Sequence, residues 1–298
     1  MNDEHRTKIA FIIEGTKSEP LIINNLQKNF FNKAEIKPII LPACTNIYAL
    51  WKKIHEDDGD TDIIELIKEV SENQKTKRID NINDIDFREL NREDYSEIYL
   101  FFDYDGHNDN LPATCNHNDV MKKMLETFDN ETENGKMYIS YPMVESIKHF
   151  NRFEICNDEI SCFTRIDMGK DYKAFVAGFT IRDNLTKYSN DDWRYVLLKY
   201  ISSIYCLFDL KSGLTRDEYL KKIIPKNIFE KQFDKYIKVL GGVMVLSAFP
   251  EFLLDYFKLE VLENMVGYNG LLNVQYNHSC IKWRLENFAS NDKILLKV

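Results

Sequence analysis

Residues with special backbone or cross-linking roles are scarce in this chain. Its 298 residues include 11 Gly, 7 Pro and 6 Cys, a composition that excludes collagen-like and low-complexity classes. No two cysteines have Cys-x-x-Cys spacing, and no secretory hydrophobic segment stands at the N-terminus. We therefore expect reduced thiols in a cytoplasmic protein, with neither a disulfide framework nor a zinc module.

Long hydrophobic runs are also lacking. The most apolar stretch, residues 243–257, is interrupted by Pro250, Glu251 and Asp255 and is too short to span a bilayer. Core-forming residues are nevertheless plentiful, because 44% of the chain is hydrophobic and 13% is aromatic. The composition therefore predicts a globular protein with no membrane segment.

Basic residues are fewer than acidic ones. The chain has 39 Lys and Arg against 48 Asp and Glu, a formal net charge of −9. Residues 1–150 hold 18 basic and 29 acidic residues, a net −11, whereas residues 151–298 hold 21 and 19, a net +2. Because a negative field repels polyanions, a nucleic-acid partner would have to use local basic patches, mostly in the second half.

Short β-branched or aromatic runs alternate with helix-like segments in the first half. The predicted strands are residues 8–15, 36–41, 97–103 and 136–141. The alternation predicts an α/β fold over residues 1–150, with a Rossmann-like parallel sheet and helices on both faces. The polar stretch 71–94 has little apolar periodicity and is predicted to be a loop insertion.

Longer, aromatic-rich helical patterns fill the second half. The predicted helices are residues 193–208, 217–224, 228–240 and 252–265, with Pro225 and the Gly241-Gly242 pair as helix ends. Residues 151–298 are therefore expected to form a mainly helical lobe packed on the first.

Acidic side chains follow three of the four predicted strands. They are Glu14, Glu19, Asp103, Asp105 and Glu145. Because ligands of open α/β sheets bind outside the carboxyl ends of the strands, we expect these five to converge at one edge. Like charges raise one another's pKa values unless a cation compensates them, and Mg²⁺ or Mn²⁺ suits oxygen ligands. Two such ions could hold the attacking and leaving oxygens of a phosphodiester.

Two residues between the first acids support phosphate chemistry. Gly15 allows a sharp turn and a close approach of phosphate to the backbone. Ser18 stands where the N-cap of the next helix is expected, and that helix N-terminus offers free N–H groups to an anion.

The motifs carry a family resemblance. Glu14-Gly15-Thr16-Lys17-Ser18-Glu19 after a hydrophobic strand, with Asp103-Tyr104-Asp105 further on, resembles the two signatures of the TOPRIM superfamily. The first motif and the segment from Pro142 through Glu145 to His149 are most similar to the RloB/AbiLii group. OLD-family nucleases and the PARIS protein AriB are further relatives of this type. Ser18 stands where the group more often has threonine.

The resemblance implies a TOPRIM-like domain over about residues 1–150 and a Mg²⁺-dependent nuclease of phage defence. By position, Glu14 would be a general acid/base or metal ligand, Asp103 and Asp105 metal ligands, and Glu19 and Glu145 supporting ligands. The substrate would be DNA or an RNA such as tRNA, and a cognate ATPase the expected partner. A homodimer is one possible assembly. OLD-type nucleases also use a lysine near the cleaved phosphate, for which Lys170 and Lys173 are both candidates.

Other interpretations of the same residues stay open. Glu14 and Glu19 could simply favour the N-terminus of the following helix, and the paired aspartates could form an Asx turn. The Asp-x-Asp motif also occurs in nucleotide-sugar glycosyltransferases, although Glu14 and Gly15 have no role there. A non-catalytic TOPRIM-like scaffold, or a regulatory subunit of an ATPase complex, is the main alternative to the nuclease.

Overall fold

A five-stranded sheet forms the centre of the protein. The computed structural model describes residues 7–31, 36–43, 45–56, 62–73, 86–104, 116–150, 163–169, 171–177 and 184–273. The strands are β1 (Thr7–Ile13), β2 (Ile36–Pro42), β3 (Glu97–Asp103), β4 (Asp129–Asn130) and β5 (Gly135–Ser140), in the order β2-β1-β3-β5-β4. All pairs are parallel except β4 with β5. The predicted α/β class is confirmed and the four predicted strands are parallel, but the short antiparallel strand β4 at the edge of the sheet was not predicted.

Burial explains why these segments are strands. Residues 98–102 of β3 and residues 9–13 of β1 are all buried, so side chains on both faces of the sheet are covered. Strands covered on both faces are continuous apolar runs, which is the pattern that identified them in the sequence.

The strand order creates a crevice between β1 and β3. From β1 the chain passes to β2 on one side, whereas from β3 it passes to β5 on the other. Such a reversal of winding direction is a topological switch point, and its crevice opens at the carboxyl ends of the two strands. Glu14 directly follows β1, and Asp103 is the last residue of β3.

Helices connect and flank these strands. They are α1 (Ser18–Leu26), α2 (Ile47–Glu56), α3 (Ile63–Asn73), α4 (His117–Thr127) and α5 (Ser146–Phe150), and a π-turn at Gln27–Phe31 extends α1. The predicted loop 71–94 is partly wrong, because α3 continues to Asn73 and 3₁₀ turns form at Phe87–Glu89 and Arg92–Asp94. Leu90 and Tyr95 are buried, so the end of this stretch is anchored in the core. Residues 74–85 lie outside the described part.

Helices also dominate the described second half. They are α6 (Asp171–Ala177), α7 (Asn190–Leu207), α8 (Arg216–Lys222), α9 (Pro225–Gln232), α10 (Lys238–Leu240), α11 (Ala248–Tyr256) and α12 (Leu259–Val266), with a π-turn at Phe233–Ile237 and 3₁₀ turns at Ile166–Met168, Leu185–Lys187 and Leu271–Asn273. Two short strands, β6 (Phe163–Arg165) and β7 (Gly242–Met244), pair antiparallel. The sequence pattern did not reveal this pair.

One predicted helix is broken in two. Residues 252–265 were expected to form a single helix, but α11 ends at Tyr256 and α12 begins at Leu259. Phe257 between them has extended backbone, and its ring contacts Phe30 and Phe31 with centroids 6.0 and 5.3 Å away. Packing of this partly buried ring against the π-turn that extends α1 therefore takes the place of a continuous helix.

The two halves share one apolar core. Phe249 of α11 stacks on Phe101 of β3 with ring centroids 4.9 Å apart, and Phe252 of the same helix contacts Phe11 of β1 at 5.2 Å. Tyr141, just after β5, forms a backbone bridge with Leu246. Among the described residues, no helix has the length and apolar character that crossing a membrane requires.

Candidate functional site

Glu14 and Asp103 meet at the mouth of the crevice. Ile13 pairs with Phe101 in the sheet, so the residues that follow both strands lie at the same edge. The backbone N–H of Asp103 donates a hydrogen bond to Oε2 of Glu14 at 3.3 Å. The predicted convergence of these two acids is therefore present, although they are 89 residues apart.

Glu19 folds back onto the turn that carries Glu14. Its side chain is buried, and its Oε1 accepts a 2.8 Å hydrogen bond from the N–H of Gly15. Burial raises the pKa of Glu19, hydrogen bonds from its own N–H and from Gly15 lower it, and the nearby Glu145 raises it again. Glu19 thus lies in the first turn of α1, where the macrodipole favours an acid, but its hydrogen bond goes to the turn before the helix and does not cap it.

Ser18 does not act as the predicted N-cap. It is the first residue of α1, and Lys17 occupies the cap position without a side-chain hydrogen bond. The Ser18 hydroxyl instead donates to Oε1 of Glu145 at 3.2 Å, across 127 residues of sequence. The hydroxyl therefore joins the first motif to the third, which is the segment from Pro142 to His149.

Glu145 completes the group from the end of β5. It follows the cis Tyr141–Pro142 peptide and directly precedes α5. Its side chain is 7% exposed, and its Oε2 is buried without a hydrogen-bond partner. A buried carboxylate oxygen that lacks a hydrogen-bond partner costs free energy, so this oxygen is suited to bind a cation.

The four acids form a negatively charged cluster. We call it the carboxylate cluster: Glu14, Glu19, Asp103 and Glu145. Desolvation and the charges of the other three acids, Glu14 first, hold the pKa of Asp103 well above its usual range. Lys173 of α6 opposes this shift. The predicted Asp105 lies outside the described residues, so the structure does not place the second aspartate of its motif.

Lys173 brings positive charge to the cluster. Its Nζ lies 3.4 Å from Oε1 of Glu145, and its side chain is 56% exposed. Of the two lysines left open by the sequence, Lys173 therefore contacts the cluster, whereas Lys170 lies outside the described residues.

His149 and Tyr172 connect the helices on either side of this ion pair. His149 Nδ1 lies 3.0 Å from the Tyr172 hydroxyl, and both side chains are buried. In the sequence, His149 was identified only as part of the segment from Pro142 to His149, and Tyr172 was not identified at all. The only available signal for Tyr172 was its position beside Lys173.

The donor chemistry of the carboxylate cluster fits a hard divalent cation. All its donors are carboxylate oxygens, one of them is buried without a hydrogen-bond partner, and burial together with the neighbouring acids raises the pKa of Asp103. As the side chains stand, the described residues include no group of three or more His, Cys, Asp or Glu that could hold a metal ion. Two of the carboxylates instead accept hydrogen bonds from Gly15 and Ser18, so these side chains would have to turn to coordinate a metal.

Comparison with known proteins adds no family assignment. The sequence matches no protein-family model, and it has no significant match among curated proteins or solved structures. The TOPRIM resemblance therefore depends on the three motifs and on the place where their acids meet.

Proposed function

We propose that this protein is a metal-dependent nuclease that hydrolyses phosphodiester bonds of DNA or RNA at the carboxylate cluster. The observation that carries the proposal is the meeting of Glu14, Asp103 and Glu145, from three strand ends, beside the switch point of the sheet. Open α/β sheets bind ligands at this position. Carboxylate oxygens gathered there, among them Asp103 with a pKa raised by burial and by the neighbouring acids, are the donor set of Mg²⁺-assisted phosphoryl chemistry.

The residues take distinct parts in this proposal. Glu14 and Asp103 would hold Mg²⁺ or Mn²⁺, with Glu19 and Glu145 as further ligands and Asp105 expected beside them. When bound, the ion supplies Lewis-acid charge and lowers the pKa of a coordinated water. Glu14 is also the acid or base that the family resemblance assigns.

Lys173 and α1 would position the substrate. The ammonium group of Lys173 can pair with a phosphate oxygen, because the half-exposed side chain reaches both solvent and Glu145. The N-terminus of α1 directs backbone N–H groups toward the same edge, which favours an anion. Since residues 1–150 carry a net −11 from 18 basic and 29 acidic residues, the rest of the nucleic acid would have to bind across the second half or on a partner.

The resemblance also suggests a biological setting. TOPRIM nucleases of the RloB/AbiLii, OLD and PARIS type suggest an effector of antiphage defence or abortive infection that works with an ATPase. We therefore include a cognate ATPase and a cytoplasmic location in the proposal, with tRNA and DNA as the first substrates to test.

A nuclease assay with matched variants tests the proposal. The purified protein, with and without its candidate ATPase, is incubated with DNA or tRNA in Mg²⁺ or Mn²⁺. Glu14→Gln and Asp103→Asn should each lower the cleavage rate about a hundredfold or more. Glu97→Gln is the control, because it removes a carboxylate from the opposite end of the same strand, β3. Equal cleavage by wild type and Asp103→Asn would refute the assignment.

A non-catalytic scaffold is the second candidate. The observation that favours it is that no three His, Cys, Asp or Glu side chains of the described residues are arranged around a common metal position. In this case the carboxylates would have a structural part, in the hydrogen bonds that they accept from Gly15, Ser18 and the backbone of Asp103 and in the ion pair with Lys173. Titration with Mn²⁺ separates the two functions, because a scaffold of this kind has no reason to bind the ion at the cluster.

A further inference from the structure

Lys173 places a positive charge in contact with the cluster. Its Nζ and Oε1 of Glu145 are 3.4 Å apart, and the same oxygen accepts the hydroxyl of Ser18. The Lys173 charge also lowers the pKa values of Glu19 and Asp103. One monovalent cation thus acts on carboxylates from three different segments of the chain.

The backbone around Lys173 is held in place although its side chain is half-exposed. Tyr172, its neighbour in α6, is completely buried and hydrogen-bonds to His149 of α5 at 3.0 Å. His149 lies one helical turn after Glu145. Phe175, in the next turn of α6, packs its ring edge against His149 with centroids 6.0 Å apart. The two helices are therefore fixed to one another, while the ammonium group at the end of a flexible stem can move into water.

We propose that the ammonium group of Lys173 is an internal counter-cation, which occupies the carboxylate cluster until a divalent metal ion replaces it. This inference rests on the proposed metal binding and adds a regulation of the same site. Lys173 compensates part of the negative charge in the metal-free protein, so the cluster can form before metal arrives. Once a metal ion neutralises Glu145, the exposed end of Lys173 is free to turn toward a phosphate.

Two physical effects determine the direction in which loss of the Lys173 charge should change metal affinity. The ammonium group competes for Oε1 of Glu145, and its charge repels a divalent ion at short range. Removing the charge should therefore strengthen metal binding. A lysine that served only to bind substrate, at a distance from the metal, would leave metal affinity unchanged.

Measurement of Mn²⁺ affinity by calorimetry, in the absence of any nucleic acid, tests the inference. We expect Lys173→Gln to bind Mn²⁺ about tenfold more tightly than wild type, and Lys173→Arg to bind like wild type, since it keeps the charge. Lys211→Gln is the matched control, because it removes one positive charge from an exposed lysine between α7 and α8. The melting temperature of metal-free Lys173→Gln should fall and be restored by Mn²⁺.

The outcomes distinguish the two proposals. Equal or weaker Mn²⁺ binding by Lys173→Gln, with normal binding by wild type, would overturn the counter-cation and leave the metal site intact. An equal gain in Lys211→Gln would also overturn it, because the effect would then come from total charge. Failure of wild type and Lys173→Gln alike to bind Mn²⁺ would overturn the metal site and the counter-cation together.

Discussion

The backbone N–H of Asp103 donates to the carboxylate of Glu14 at 3.3 Å, although the two residues end different strands of the sheet. This contact fixes the two acids at the switch point, where β1 and β3 run side by side. The charge of Glu14 is the largest electrostatic contribution to the raised pKa of Asp103. Two acids this close repel each other unless a cation compensates them. The predictions below test whether the protein binds such a cation and what the repulsion costs in stability.

Asp103→Asn should stabilise the metal-free protein near neutral pH. The pKa of Asp103 is raised on folding, so the native state binds more protons between the unfolded and folded pKa values, and stability falls as pH rises through this window. Asparagine removes the ionisation, and we expect a melting temperature higher by about 2–4 °C, the shift that about 1 kcal/mol produces in a larger domain.

Thermal unfolding in EDTA from acidic to neutral pH measures this difference. The increase in melting temperature caused by Asp103→Asn should grow with pH and disappear below the pKa that Asp103 has in the unfolded chain. In saturating Mn²⁺ wild type should have the higher melting temperature of the two, because only wild type is stabilised by the ion. A variant that is less stable at every pH would contradict the prediction.

Gly15→Ala should weaken metal binding through Glu19. A Cβ at position 15 would lie 3.0 Å from both carboxylate oxygens of Glu19, so this side chain must move. Because the obstacle is the end of a flexible side chain, the cost in stability should be small, below about 1 kcal/mol. Calorimetric titration with Mn²⁺ and urea unfolding would test both parts. Unchanged Mn²⁺ affinity would show that Glu19 is not a ligand.

Ser18→Ala and Ser18→Thr should differ more in Mn²⁺ affinity and cleavage rate than in the free energy of unfolding. The hydroxyl binds Glu145 and does not cap α1, so its loss should cost less than the roughly 1 kcal/mol of a lost N-cap. Alanine should alter Mn²⁺ affinity and cleavage rate, whereas threonine keeps the hydroxyl and should resemble wild type. If alanine instead lowers the free energy of unfolding by the roughly 1 kcal/mol of a lost N-cap and leaves Mn²⁺ affinity unchanged, the role assigned to Ser18 is wrong.

Tyr172→Phe should loosen the contact between α5 and α6. The change removes only the hydroxyl that bonds His149, and a lost buried hydrogen bond costs about 1–3 kcal/mol. Urea unfolding should show this loss, and Tyr195→Phe, at a 41% exposed tyrosine, is the control. A double-mutant cycle with His149→Ala should give a coupling energy, and independent effects of the two substitutions would argue against the link.

The sequence predicted the sheet better than the details of the site. Apolar strands such as Glu97–Asp103 are local patterns, and burial on both faces made them easy to identify. The break at Phe257 depends on its contact with the end of α1, a tertiary effect that helical periodicity does not contain. The Ser18–Glu145 bond spans 127 residues, and capping was the only role that local sequence offered Ser18.

For the acids, the sequence was enough to predict which residues meet at the sheet edge, but not which other side chains contact them. Strand ends in a parallel sheet share one edge, so the positions of Glu14 and Asp103 after apolar runs were enough to bring them together. The choice of Lys173 and the role of Tyr172 depend on how α6 packs beside α5, which no motif encodes. Asp105 and Lys170 lie outside the described residues, and their parts in the site stay predictions.

Crystals soaked in Mn²⁺ and measured with anomalous scattering test the central claim most directly. We predict an anomalous peak between the carboxylates of Glu14 and Asp103 in wild type, absent in Asp103→Asn and kept in Glu97→Gln. A wild-type crystal with no peak at these carboxylates, in saturating Mn²⁺, would contradict the metal site and the nuclease mechanism built on it.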